Sequence, residues 1–310
     1  MRIRRAAVAV TALASILSMG SASAQRAAPM TAWAPQPEKL APFQAPNTLY
    51  QPLGAVLAKH KGQKNWSQTM ILDRDYIAQY IQMAPGEKTK TQFWADDRIF
   101  WVVQSGAIRF TIEGQEPFVA TKGFLVQVPY RVPYSLETVG NEPSLRFEVR
   151  AAHEIPSFPT TETPPKIKGW KFVQSTYTGK GRYDADNKPY LDFNKTIVQE
   201  GGKGGGFVKD DHTWANVIRG PAAPLPPDTS LGHFHENFEE FWIVLEGEED
   251  FLVQGEKLVR AFPGDIVSAP EERWHRATHN GPIGTMSTRL AITPRPPSLH
   301  YTQPGAGGGD

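Results

Sequence analysis

Cysteine is absent from all 310 residues. That excludes a disulfide framework, a thiolate nucleophile and cysteine-bound zinc, and it leaves the redox compartment open. Net charge is nearly absent too. Lys and Arg number 33 against 32 Asp and Glu, a formal +1, and no basic run is present to track a nucleic-acid backbone. Long hydrophobic runs are missing as well. The apolar stretch from Ala6 to Leu17 is too short and too alanine-rich for a membrane span. What remains is globular in composition, 40% apolar and 21% charged, with the length of one large or two ordinary domains.

The N-terminus carries its own pattern. Arg2, Arg4 and Arg5 precede the apolar run, and Ser21-Ala22-Ser23-Ala24-Gln25 places small residues two apart, as signal peptidase requires. Residues 1–24 are expected to be a removable export signal, which makes the protein periplasmic or secreted, without stable membrane insertion after cleavage. Arg4-Arg5 also raises twin-arginine export, which the surrounding residues fit poorly. Removing the segment takes away three arginines and no acid, so the mature chain carries 30 basic and 32 acidic residues. Nothing in that balance suggests an anionic polymer as partner; a small molecule is expected instead.

The most informative stretch runs from Gly232 to Gly247. His233 and His235 stand two apart, so in a strand they share a face. Glu240 is an odd step from His235 and falls on the other face unless residues 236–239 loop or bulge. With that loop, two imidazoles and a carboxylate converge, a ligand set for a first-row metal. Later, Gly264, a short apolar strand and Pro270 lead to His275, which suits a neighbouring strand that delivers a third imidazole.

These two segments resemble the two cupin motifs. The first reads His233, His235, four residues, Glu240, six residues, Gly247. The second reads Gly264, five residues, Pro270, four residues, His275. The resemblance implies a small antiparallel jelly-roll β-barrel with one metal held by His233, His235, Glu240 and His275. Two positions depart from the family pattern. Glu272 stands where a glycine usually follows the proline, and His279 stands where an asparagine is usual, with Asn280 one place on. Glu239 is a rival ligand by spacing; the six-residue gap to Gly247 favours Glu240 and leaves Glu239 solvated.

The chain also repeats itself. Residues 85–134 align without a gap to 226–275, 141 positions later. Phe100-Trp101 matches Phe241-Trp242, and Gly106, Gly114 and Gly123 match Gly247, Gly255 and Gly264. Pro129 matches Pro270. This is the signature of a duplicated barrel, a bicupin. The ligands do not recur: Gln92, Trp94, Ile99 and Tyr134 occupy the four ligand positions of the first copy. The fold class expected is all-β, two tandem cupin barrels with a few short helices, the first without metal. The expected division is a signal at 1–24, an arm at 25–65, the degenerate barrel at 66–152, a Pro-rich connector at 153–169, the metal-binding barrel at 170–296 and a flexible tail at 297–310. The barrels offer surfaces for homo-oligomerisation. The glycine-rich residues 201–206 lack the lysine and helix of a phosphate-binding loop and are expected to be a plain loop.

Three imidazoles and one carboxylate suit Fe or Mn for redox chemistry, with Zn, Ni and Cu also compatible. Candidate catalytic residues are Glu240, Glu272, Arg273 and His279. Glu271 and Glu239 are further proton-transfer candidates, and Arg276, with Arg273, is a candidate anchor for an anionic substrate. The expected function is that of an exported metal-dependent oxidoreductase of dioxygenase type, acting on a small aromatic, enol or organic acid. A redox-neutral decarboxylase, lyase or isomerase is the alternative, and a non-enzymatic binding cupin is the third reading.

Overall fold

The computed structural model describes residues 30–294 and 300–304. The expected export signal at 1–24 lies outside them. Residues 30–34 carry no helix or strand, and the body begins at Pro35. From there the chain runs β1 (Tyr50–Gln51), α1 (Leu53–Lys59), β2 (Trp66–Leu72), β3 (Tyr76–Met83), β4 (Ile99–Ser105), β5 (Ala107–Ile112), β6 (Phe118–Thr121), β7 (Phe124–Val128), β8 (Tyr134–Val139) and β9 (Ser144–Ala151). Then follow β10 (Tyr190–Asp192), a π-helical turn (Asn194–Gln199), β11 (Gly205–Lys209), β12 (Trp214–Pro221), β13 (His233–His235), β14 (Glu240–Glu246) and β15 (Glu248–Val253). The last strands are β16 (Val259–Ala261), β17 (Ile266–Ala269), β18 (His275–Asn280), β19 (Met286–Thr293) and β20 (His300–Thr302). No helix among the described residues is long and apolar enough to cross a membrane.

The protein is all-β, of jelly-roll type. Two six-stranded antiparallel sheets have the orders β10-β7-β4-β9-β3-β2 and β1-β17-β14-β19-β12-β11, and smaller sheets run β6-β5-β8 and β16-β15-β18-β13-β20. The large sheets repeat each other strand for strand, so the repeat extends beyond the aligned residues 85–134 and 226–275. Each central strand is buried on both faces, and its two sets of side chains go to different cores. In β4, Ile99, Trp101 and Val103 fill the first barrel with Phe110, Val126 and Leu136. Phe100 and Val102 join a core shared between the two large sheets. In β14, Trp242 and Val244 point into the second barrel beside Phe251 and Val267, whereas Phe241 and Ile243 enter the shared core. The continuous apolar run of these strands is therefore two period-2 patterns superposed.

Each large sheet takes its edge strand from the segment that precedes the other barrel. Residues Tyr50–Gln51 of the arm pair with β17 of the second barrel, Tyr50 opposite Val267. Residues Tyr190–Asp192 pair with β7 of the first, Tyr190 opposite Val126. The exchange covers edges that would otherwise expose unpaired backbone groups. Tyr50 Oη donates to Asp265 at 2.7 Å, and Leu53 N–H donates to the same carboxylate at 2.9 Å. Further ties cross the shared core: Tyr76 Oη donates to the Thr293 carbonyl at 2.7 Å, and Tyr80 Oη to that of Gly264. Residues His300–Thr302, in the stretch expected to be a flexible tail, pair with β13 as β20. The Tyr301 ring stacks on Phe234 at 4.9 Å, which gives that strand an apolar hold.

Candidate metal centre

His233 and His235 sit on β13, and Glu240 opens β14 after the loop 236–239. The loop restores the parity that an unbroken strand would lose, so the carboxylate faces the imidazoles. His275 opens β18 directly opposite His233. The two strands approach closely at Gly232, whose φ is +82° and where a Cβ would collide with the His275 carbonyl. Only glycine fits that position.

The three imidazoles surround a single carboxylate oxygen. From Glu240 Oε2 the distances are 2.8 Å to His235 Nε2, 3.2 Å to His275 Nε2 and 3.5 Å to His233 Nε2. All four donor atoms lie within 4.8 Å of one another. Ligands bound at about 2.1 Å stand about 3.0–3.4 Å apart at adjacent coordination positions, so these spacings are those of ligands to one ion. The protonation pattern agrees. His275 Nδ1 lies 2.8 Å from the Arg273 carbonyl, which can only accept, so Nδ1 holds the proton and Nε2 presents a lone pair. Burial, with His233 nearby, pushes the His275 imidazolium down to about 4. A neutral imidazole lone pair then faces an anionic oxygen, and a cation between them relieves that opposition. Burial by itself would raise Glu240, but the imidazoles gathered around it outweigh burial and hold the carboxyl well below its usual range. The donor set fits a divalent metal ion.

The centre is nearly closed. The His235 and His275 side chains are 1% exposed, and His233, at 14%, forms the open edge. Phe238 stacks on His235 at 4.3 Å, and Trp242 meets His275 edge-on at 5.4 Å. These rings fix the imidazole planes.

The first barrel assembles the same four positions without an imidazole or a carboxylate. Gln92 pairs with Tyr134 across an isolated bridge, as His233 pairs with His275. Tyr134 Oη accepts from Trp94 Nε1 at 2.9 Å and from Gln92 Nε2 at 3.1 Å. Ile99 is 1% exposed. A phenol hydroxyl and two donors occupy the space that the second barrel gives to its metal cluster.

The other candidates are held elsewhere. Arg273 donates to the Ala41 carbonyl, the Gln254 carbonyl and Glu256, and its guanidinium lies 5.0 Å from the Phe43 ring. It anchors the arm. Arg276 binds the carbonyls of Pro226, Pro227 and Ser230 and so fastens the loop before β13. Glu272 works through its main chain: its N–H donates to the His235 carbonyl at 2.5 Å, and its own carbonyl accepts from Gln36. Its φ of +67° explains why glycine is usual there, and the side chain costs about 1–2 kcal/mol in that region. His279 shares the face of His275 but lies four residues further along β18, at 2.9 Å from both Glu249 and Ser287, under Gly220. Glu271 pairs with Arg74 at 3.1 Å.

Glu239 differs from expectation. It is half-buried rather than freely solvated, and Asn47 Nδ2 of the arm lies 3.0 Å from both of its carboxylate oxygens. Burial raises its carboxyl to about 7. Two participants had no signal in the chain. The Arg273 carbonyl that orients His275 is backbone, and Asn47 comes from 192 residues away.

A cupin domain model matches residues 224–287, the segment that carries all four donors. No curated protein sequence matches the chain. Among solved structures, salicylate 1,2-dioxygenase from Pseudaminobacter salicylatoxidans superposes with a TM-score of 0.57 at 13% identity, covering 81% of this chain and 85% of that one. A cupin 2 conserved barrel domain protein from Leptotrichia buccalis gives 0.49 at 14% identity, over 76% and 91%. Bacillus subtilis oxalate decarboxylase gives 0.45 at 12% identity, over 75% and 73%. At such identities the likeness is one of fold. The matched segment is a cupin domain, and the superposition on the dioxygenase shows that the doubled barrel around it has the same fold.

Proposed function

We propose that the protein is a metal-dependent enzyme of dioxygenase type, acting on a small aromatic or enolic organic acid at the second barrel, with Fe or Mn as its metal. The observation that carries this reading is the convergence of three imidazole nitrogens on one buried carboxylate oxygen. The fold likeness to a salicylate dioxygenase over four-fifths of the chain is consistent with it. Salicylate itself is that enzyme's substrate and is only a model for the class here.

A divalent ion held by His233, His235, Glu240 and His275 would keep a net charge of about +1 and would supply Lewis-acid and redox chemistry to an anionic oxygen substrate. The chain's own residues supply the rest. His233, Glu240 and His275 present their donors from three different strands, so the sheet holds the geometry. The Arg273 carbonyl keeps the His275 proton on Nδ1. Phe238 and Trp242 exclude water from the ligand rings, which strengthens electrostatic attraction inside. Access is from the His233 edge, the most exposed of the four. Arg273 and Arg276 are bound to backbone carbonyls, so substrate anions are attracted by the centre itself rather than by an arginine clamp. Export is part of this reading, on the basic, apolar and small-residue order of residues 1–24.

The test is oxygen uptake by native protein of known metal content, with salicylate, gentisate and related acids as substrates. Uptake that tracks Fe or Mn content and vanishes in His235→Ala supports the proposal. Turnover without oxygen consumption assigns the centre to redox-neutral chemistry instead.

A further inference from the structure

A second group of ligand-type side chains lies away from the barrel centre. Asp97, on the approach to β4, and His153 and Glu154, just after β9, place one donor atom each within 4.8 Å of one another. His212, in the turn between β11 and β12, adds a nitrogen at 2.7 Å from Asp97 Oδ1, and His153 Nε2 stands 3.4 Å from Asp97 Oδ2. Asp97, His153 and His212 border a cavity of about 230 Å³ that Asp75 and Asp211 also line.

The charge balance there is unusual. Asp97 is 6% exposed, and among the described residues its ion-pair partners are the two histidines. One oxygen of Glu154 accepts from the Asp96 N–H at 2.7 Å, while Oε2 is buried without a hydrogen-bond partner. No Lys or Arg among the described residues pairs with either carboxylate. A buried carboxylate held only by imidazoles, beside a second with an unmatched oxygen, calls for a positive charge. Two carboxylates cancel the charge of a divalent ion, and two imidazoles add the nitrogen donors that favour Zn(II) over Mg(II) or Ca(II).

We propose that Asp97, His153, Glu154 and His212 form a second divalent-cation site, of the zinc class, that bridges the two halves of the chain. Three ligands come from the first barrel and its outgoing strand, and the fourth from the turn that starts the second large sheet. The site is separate from the barrel centre and does not depend on what that centre catalyses. Its role is to tie the β11–β12 turn to the first barrel.

The experiment is equilibrium dialysis of the full chain against buffered Zn(II), read by elemental analysis, with melting temperature followed in parallel. Wild type takes up two equivalents. His275→Asn, at the barrel centre, retains one. His153→Gln and His212→Gln each lose at least tenfold in affinity for one equivalent, together with the part of the zinc-induced rise in melting temperature that this equivalent supplies. Both side chains are about two-thirds exposed, so these variants fold, and they decide the matter even if Asp97→Asn does not. No zinc uptake by wild type beyond what His275→Asn removes, or uptake undiminished in both glutamine variants, overturns the proposal. Loss of zinc from His275→Asn alone bears on the barrel centre and not on this site.

Discussion

Replacing Tyr134 by Phe tests whether the first barrel is held by a polar plug where the second holds its ligands. The substitution keeps the ring and its contact with Trp101 at 5.2 Å but removes the oxygen that accepts from Trp94 Nε1 and Gln92 Nε2. Trp94 is 5% exposed, so its indole N–H is left buried without that acceptor, at a cost of about 1–3 kcal/mol. Gln92 is only partly buried and turns to water at little cost. The expected loss is about 2 kcal/mol, which for a chain of this size lowers the melting temperature by about 3 °C. Urea denaturation should show a lower midpoint with an unchanged slope, and metal content should stay at the wild-type value. A loss below about 0.5 kcal/mol, or a fall in metal content, would refute the reasoning, since either result denies that the hydroxyl organises the first barrel alone.

Gly232→Ala places a methyl group against the His275 carbonyl at a positive φ. It should destabilise by at least about 1–2 kcal/mol and reduce barrel-centre metal occupancy, measured by elemental analysis. Arg273→Ala frees the arm rather than the substrate site: limited proteolysis should cut the arm faster, while KM for an anionic substrate stays unchanged, and a raised KM would return Arg273 to the role of anion anchor. Chelation should lower the melting temperature, because an ion held at 100 times its Kd contributes about 2.7 kcal/mol. Acidification should release the ion as protons compete for the imidazole nitrogens, which a pH series of metal content would show.

The ligand quartet was legible in the sequence because alternation along a strand is a local rule: His233 and His235 share a face by spacing alone, and the matching strand contexts pointed to Glu240 and His275. The placement of Gln92, Trp94, Ile99 and Tyr134 at the corresponding four positions of the first barrel was legible from the repeat. Long-range contacts were not legible. Tyr50 pairs with Val267, 217 positions further along the chain, and nothing near Tyr50 says which sheet it will join. Glu239 looked solvated because its cover, Asn47, comes from the arm. Arg273 and Arg276 looked like substrate anchors because they flank a ligand; their direction depends on which loop passes behind the strand. The group around Asp97 is assembled from three separate turns, so no spacing rule announces it.

The most direct measurement is an anomalous difference map at the absorption edge of the native metal. The account predicts a peak about 2.0–2.2 Å from the nitrogens of His233, His235 and His275 and from a Glu240 oxygen, with none beside Tyr134 in the first barrel. A metal-loaded crystal with no peak among those four side chains, or with one in the first barrel, would contradict it.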